Sequence, residues 1–143
     1  MMKLLPILLL VFVLTMGMAC SSESSFESVQ QEARAHINKG IEYYALGQYE
    51  KAIQSYDKAI NLTPQNATIY NKRGVTRSAL GQYGKAILSY DNAIRLDSEY
   101  GVAYYNRGSA FKALGNSIKA EQDFAKAEEL GMSFPEPKAD ALP

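Results

Sequence analysis

The sequence predicts an all-α fold made of three stacked helix–turn–helix units. Gly40, Gly74 and Gly108 recur 34 residues apart, each followed at constant offsets by Ala52, Ala86 and Ala120, by Tyr56, Tyr90 and Phe124, and by Ala59, Ala93 and Ala127. Within a unit, apolar residues return at steps of three and four, the period of a helix with one buried face. Self-similarity at this period signals an array in which each unit buries its apolar face against its neighbours.

The first unit spans residues 33–66. Ile37, Ile41, Tyr44 and Ala45 fall on one helical stripe. Leu46-Gly47-Gln48 interrupts it, and Gly47 suits the left-handed residue that closes a helix. Tyr49, Ala52, Ile53, Tyr56, Ala59 and Ile60 form a second stripe, ended near Pro64 because proline disfavours a helical residue before it. A linker this short makes the two helices antiparallel. The second unit (67–100) repeats the plan with helices near Ala67–Leu80 and Tyr83–Leu96, and the third (101–132) with helices near Glu99–Leu114 and Ser117–Leu130. Helical propensity favours alanine over glycine by up to about 1 kcal/mol, so glycine three times at one slot implies a steric need. A larger side chain at Gly74 should overpack, costing roughly 1–3 kcal/mol. In the last helix Glu121 and Glu128 stand where earlier units carry Ile53, Ile87, Ile60 and Ile94, the polar switch that a terminal repeat needs.

These units resemble tetratricopeptide repeats, whose pattern runs W-x2-L-G-x2-Y, then A-x3-F, a later A and P. The Trp slot holds His36, Tyr70 and Tyr104, and the Leu slot Lys39, Arg73 and Arg107. The Tyr slot holds Tyr43, Arg77 and Phe111, and the Pro slot Pro64, Ser98 and Met132. The likeness covers Ala33 to Leu130 and implies a right-handed superhelix whose first helices line a concave face.

At 143 residues the chain is one domain by length, with 47% hydrophobic and 21% charged residues and a formal net charge of +0. Nothing global argues for nucleic acid. The single cysteine, Cys20, excludes a disulfide framework or a cysteine-based zinc site within one chain, and the single histidine, His36, takes an aromatic packing slot.

Residues 1–19 read as a secretory signal peptide: Lys3, then an apolar run from Leu4, then small residues ahead of Cys20. The run to Cys20 falls short of the ~20 residues that comfortably span a bilayer. Gly17-Met18-Ala19-Cys20 resembles the lipobox of bacterial lipoproteins. That resemblance implies cleavage before Cys20, acylation of its sulfur with palmitate-type chains, and a lipid-anchored protein of the cell envelope. Ser21 after the cysteine fits sorting to the outer membrane, facing the periplasm. Cleavage by ordinary signal peptidase at Gly17-x-Ala19 is the alternative. Residues 20–25 form a polar tether, 26–131 the repeat domain and 132–143 a Pro-rich tail, in which Phe134 is expected to fold back onto the last helix. Ser24-Ser25-Phe26-Glu27 has capping-box form, so a helix is expected to start there, with residues 26–32 covering the open start of the array.

Mapped onto the concave face, the resemblance gives Arg34, Ile37, Asn38, Ile41 and Tyr44 in unit one. It gives Thr68, Asn71, Lys72, Val75 and Ser78 in unit two, and Val102, Tyr105, Asn106, Ser109 and Lys112 in unit three. Asn38, Asn71 and Asn106 can hydrogen-bond a peptide backbone. Tyr44 and Tyr105 offer apolar area with a polar tip. The expected partner is an extended or helical protein segment, with a mild preference for acidic ones. Members that grip the C-terminal carboxylate of chaperones use Lys, Asn and Arg on these helices. Ile37, Ile41, Val102 and Asn106 occupy those places here, so that function does not carry over. Lys39, Arg73 and Arg107 are read as stems along the inter-repeat seam with heads on Asp57 or Asp91, in preference to a ladder for an anionic partner. The expected function is a binding module or scaffold, similar to small tetratricopeptide-repeat lipoproteins of barrel assembly, pilus assembly or wall-hydrolase regulation. Self-association through the open array ends is the alternative. No nucleophile elbow, H-E-x-x-H or phosphate loop is present, and no enzyme activity, metal or cofactor is expected.

Overall fold

The computed structural model describes residues 5–132, with side chains from Ser25 onward. The described residues form six helices and no strand: α1 (Leu5–Ala45), α2 (Tyr49–Leu62), α3 (Ala67–Ala79), α4 (Tyr83–Leu96), α5 (Gly101–Ala113) and α6 (Ser117–Glu129). Each helix packs on the next, and α3 also touches α5, which leaves a helical-repeat superhelix with α1, α3 and α5 along one face.

Each turn within a unit closes in the same way. Gly47 has φ +71°, and its amide donates to the Tyr44 carbonyl at 2.9 Å while that of Gln48 donates to Tyr43 at 2.8 Å. This paired closure needs a left-handed residue, and glycine adopts that conformation without a Cβ clash. The same two bonds recur at Gly81/Gln82, Gly115/Asn116 and Gly131/Met132.

The recurring glycines lie in helix-to-helix contact, as their spacing implies. A Cβ on Gly40 would come within 2.5 Å of Tyr56 Cε1, and one on Gly108 within 2.9 Å of Phe124 Cε1. Ala52, Tyr56, Ala59 and Ile69 form one buried cluster, with Ile37, Tyr43 and Ile60 packed on it, and Ala86, Tyr90 and Ala110 form another. Glu121 and Glu128 are exposed at the end of the array, whereas Ile53, Ile60, Ile87 and Ile94 are partly buried.

Two boundaries differ from the sequence reading. The helix expected to begin at Ser24 is already running there, since α1 starts at Leu5. The preceding segment is rich in Leu and Met, which favour helix, and α1 runs on through Gly17 to the serines, so the capping sequence has no free end to cap. Ser28 Oγ instead donates to the Ser25 carbonyl at 2.8 Å. Helix α5 starts at Gly101 and not at Glu99, because Asp97 Oδ1 takes the Glu99 amide at 3.0 Å and holds that stretch as a turn. The tail beyond Met132, Phe134 included, and the side chain of Cys20 lie outside the described residues. Among the described residues no helix is long and apolar enough to cross a membrane.

Candidate functional site

The inner face of α1, α3 and α5 holds a groove of about 280 Å³. Unit one contributes Ile41 and Tyr44, unit two Asn71, Lys72 and Val75, and unit three Val102 and Asn106. Seven side chains expected on the concave face thus meet at one place, although they come from three helices. Ile41 and Val102 are 42% and 40% exposed and line the same hollow, so their apolar area is open to a ligand there. Lys72 is the one charged residue of the lining, and no acid joins it.

The asparagines are not equivalent. Asn106 Nδ2 donates to Asn71 Oδ1 at 3.0 Å, and Asn71 Nδ2 donates to the Tyr100 hydroxyl at 3.3 Å. Asn71 is buried with both ends of its amide engaged, so it holds Asn106 in place and is not the free peptide-binding amide that the sequence suggests. Asn106 keeps its carbonyl oxygen for a ligand. No sequence signal announces this pairing, because its members lie 35 residues apart on different helices.

Other expected residues fall elsewhere. Ile37 packs on the Ala52–Tyr56 cluster, because it sits one turn too deep on α1. Ser78 Oγ lies 3.1 Å from the Tyr90 hydroxyl inside its own unit. Ser109 Oγ donates back to the Tyr105 carbonyl at 3.0 Å. Tyr105 stacks on Phe124 with ring centres 5.5 Å apart, next to the groove but not in its lining. Arg34, Asn38, Thr68 and Lys112 are exposed and also outside the lining. Two lining residues escape sequence reasoning. Tyr56 comes from a second helix, and Thr76 lies beneath, donating to the Lys72 carbonyl at 2.8 Å.

Arg73 and Arg107 behave as a seam, whereas Lys39 forms no ion pair among the described residues. Arg73 Nη1 meets Asp57 at 2.6 Å, and Arg107 meets Asp91 and Asp123, both at 2.7 Å. The bonds to Asp123 and Asp91 push the Arg107 pKa up against the opposing effect of burial. Arg77, in an aromatic slot, is lowered by burial and by like-charged Arg73, with Asp57 partly compensating. It donates to Ser89 Oγ at 2.9 Å and to the Lys85 carbonyl at 3.2 Å. The described residues hold no cluster of His, Cys, Asp and Glu that could bind a metal ion.

Fold and groove define a helical-repeat module for protein–protein interaction. Residues 40–81 and 77–115 match the family described as TPR repeat, and residues 102–130 that described as tetratricopeptide repeat. The chain belongs to the tetratricopeptide-repeat family. Among solved structures it is similar to the first TPR domain of Spaghetti (RPAP3) bound to the HSP90 peptide SRMEEVD, with 30% identity over 71% of this chain and 80% of that one and a TM-score of 0.69. It is also similar to the Arabidopsis OM64 TPR domain, with 29% identity over 72% and 85% and a TM-score of 0.70. The second Spaghetti TPR domain, bound to the same peptide, matches at 29% identity over 75% and 98%, with a TM-score of 0.71. No curated protein matches the chain. Proteins of this family are typically non-enzymatic interaction modules.

Proposed function

We propose that this chain is a scaffold, held at a membrane through acylated Cys20, that binds a partner segment in the concave groove through apolar anchors. The observation that carries the groove reading is the meeting of exposed Ile41, Tyr44 and Val102 beside Lys72 and the Asn71-supported Asn106. Aliphatic and aromatic pockets with a few placed polar groups are what binding sites are built from. The peptide seen with the Spaghetti domains supports a peptide ligand here, but of different chemistry. Where carboxylate-gripping members need Asn and Lys, this groove offers Ile41 and Val102. The partner segment therefore presents apolar side chains to unit one and unit three, with its backbone or an acidic group at Asn106 and Lys72.

A photo-crosslinking residue at Val102 should capture a partner that the same residue at convex Leu88 does not, and Ile41→Ala should weaken the capture with little change in melting temperature. Equal capture at both positions would refute the groove. The peptide SRMEEVD should bind at least tenfold more weakly than it does to the first Spaghetti domain. The anchor is tested separately: a clickable palmitate analogue should label the full chain and not Cys20→Ala, and absence of label points to ordinary cleavage after Ala19. End-on self-association is the weaker reading. The acid that joins neighbouring units, Asp57 and then Asp91, becomes Ala125 in unit three, so a second copy stacked in register would bring no carboxylate to Lys39.

A further inference from the structure

The seam between the two helices of a unit is filled differently in each repeat. In unit three it holds the buried carboxylate of Asp123, which takes Arg107 Nε at 2.8 Å and Nη2 at 2.7 Å. Unit two has Ser89 at that slot, and the side chain of Arg77 comes across from the aromatic slot to hydrogen-bond it at 2.9 Å. Unit one has Ser55 and Tyr43 at these two slots, so neither a carboxylate nor a guanidinium fills the space. What remains is a cavity of about 190 Å³, lined chiefly by His36, Lys39, Tyr43, Lys51, Ser55 and Lys58.

Its charge is one-sided. The ammonium groups of Lys39 and Lys51 lie 5.8 and 5.6 Å from the centre of the same Tyr43 ring. No acid lines the cavity; Glu32 stands at its edge, 3.9 Å from His36 Nε2. Among the described residues Lys39, Lys51 and Lys58 form no ion pair, and Lys51 Nζ donates only to Gln48 Oε1 at 2.9 Å. The other two copies of the Lys39 slot are both paired with carboxylates. Cations on one lining with no acid among them attract an anion.

The geometry points to a binding site for a phosphate or phosphomonoester in the unit-one seam, where the anion stands in for the Asp123 carboxylate of unit three. Three exposed lysines line the cavity and can turn their ammonium groups to one anion, which suits a group carrying about −1.5 to −2 charge and three acceptor oxygens better than a single carboxylate. The hydroxyl of Ser55 already donates to the Lys51 carbonyl at 3.0 Å, so its part is to leave room. This site is on the opposite side of α1 from the groove residues Ile41 and Tyr44, and it stands whether or not the groove reading holds.

The test is the melting temperature of the purified full chain against inorganic phosphate at fixed ionic strength, with chloride as the replaced ion. A saturable rise of about 2–6 °C with a midpoint in the millimolar range is expected. Lys51→Gln/Lys58→Gln should weaken the midpoint at least tenfold. Ser55→Asp, which builds the carboxylate of unit three into unit one, should melt higher than wild type and lose the saturable response. The lysine variant decides the matter if Ser55→Asp does not fold. Glycerol 3-phosphate, the headgroup fragment of an anionic lipid, separates the sources: an equal response to it favours a headgroup, and a response to inorganic phosphate alone favours the free ion. Exclusion of phosphate from the protein surface would raise wild type and variants alike without saturation, and that result overturns the site.

Discussion

Gly74→Ala isolates the steric requirement on which the array depends. An ideal Cβ at this position would stand 2.7 Å from Tyr90 Cδ1 and 2.9 Å from Cζ, with Cε1 nearer still. Carbon atoms normally approach to about 3.5 Å, so the ring or helix α3 must give way by more than half an ångström. The ring has nowhere to go: Tyr90 is 1% exposed and its hydroxyl is 3.1 Å from Ser78 Oγ. With three ring carbons obstructed, the overpacking cost belongs near the top of the usual range, about 3 kcal/mol. The gain in helical propensity returns about 1 kcal/mol. The net loss of ~2 kcal/mol corresponds to a fall in melting temperature of roughly 10 °C for a domain of this size. Gly84→Ala is the control. Gly84 lies in the first turn of α4 with nothing within 4 Å of a Cβ, so alanine there should stabilise by roughly 0.5 kcal/mol. Gly108→Ala should fall between the two, since half-buried Phe124 can shift and its first contact begins at 2.9 Å. Thermal and urea unfolding followed by circular dichroism measure all three. A Gly74→Ala protein as stable as wild type, beside a stabilised Gly84→Ala, would refute the reasoning.

Burial pushes the Tyr90 hydroxyl up to about 12 from an ordinary value of 10.0, against the hydrogen bond to Ser78. Its folded pKa exceeds its unfolded one, so the contribution to stability is whole below about pH 10 and is lost as pH rises towards 12. Tyr90→Phe should flatten that alkaline loss, and tyrosinate absorbance should show one late-titrating group fewer than in the wild type, where burial also pushes Tyr56 up. Asp123→Asn should cost about 1–3 kcal/mol, since its side chain is only 8% exposed and Arg107 would lose a bidentate partner. Asp91→Asn should cost less than about 1 kcal/mol because that side chain is 46% exposed. Urea midpoints would invert if the seam were held mainly between repeats and not within them.

Much of the architecture is legible without coordinates because its causes are local. Gly47 must be left-handed to end α1 and start α2, and the sequence shows both the glycine and the change of stripe on either side. Gly40 and Tyr56 are 16 residues apart in one hairpin, so a small residue opposite a large one reads directly as a close contact. Asp57 for Arg73 and Asp91 for Arg107 are legible because the repeat sets each pair at the same offset of 16 residues, whereas Asp123, the buried partner of Arg107, has no counterpart in the earlier units and is not. Ile37 is harder: its stripe is right for either the groove or the core, and only the depth of α1 against Tyr56 sends it inward. The start of α1 is misjudged because a capping sequence works only at a free helix end.

The sequence by itself determined the unit, its two helices, its turns and the pairing of glycine with aromatic, because each follows from backbone sterics and periodicity within a single 34-residue span. Only the tertiary structure decided what the units do together. The angle between successive hairpins brings Ile41, Asn71 and Val102 to one hollow and turns Asn71 into a support for Asn106. Packing within the hairpins decides that Ser55 leaves the seam of unit one open where Asp123 fills that of unit three. Such meetings join residues from separate helices, and no local rule of spacing sets the angles at which rigid helices stack.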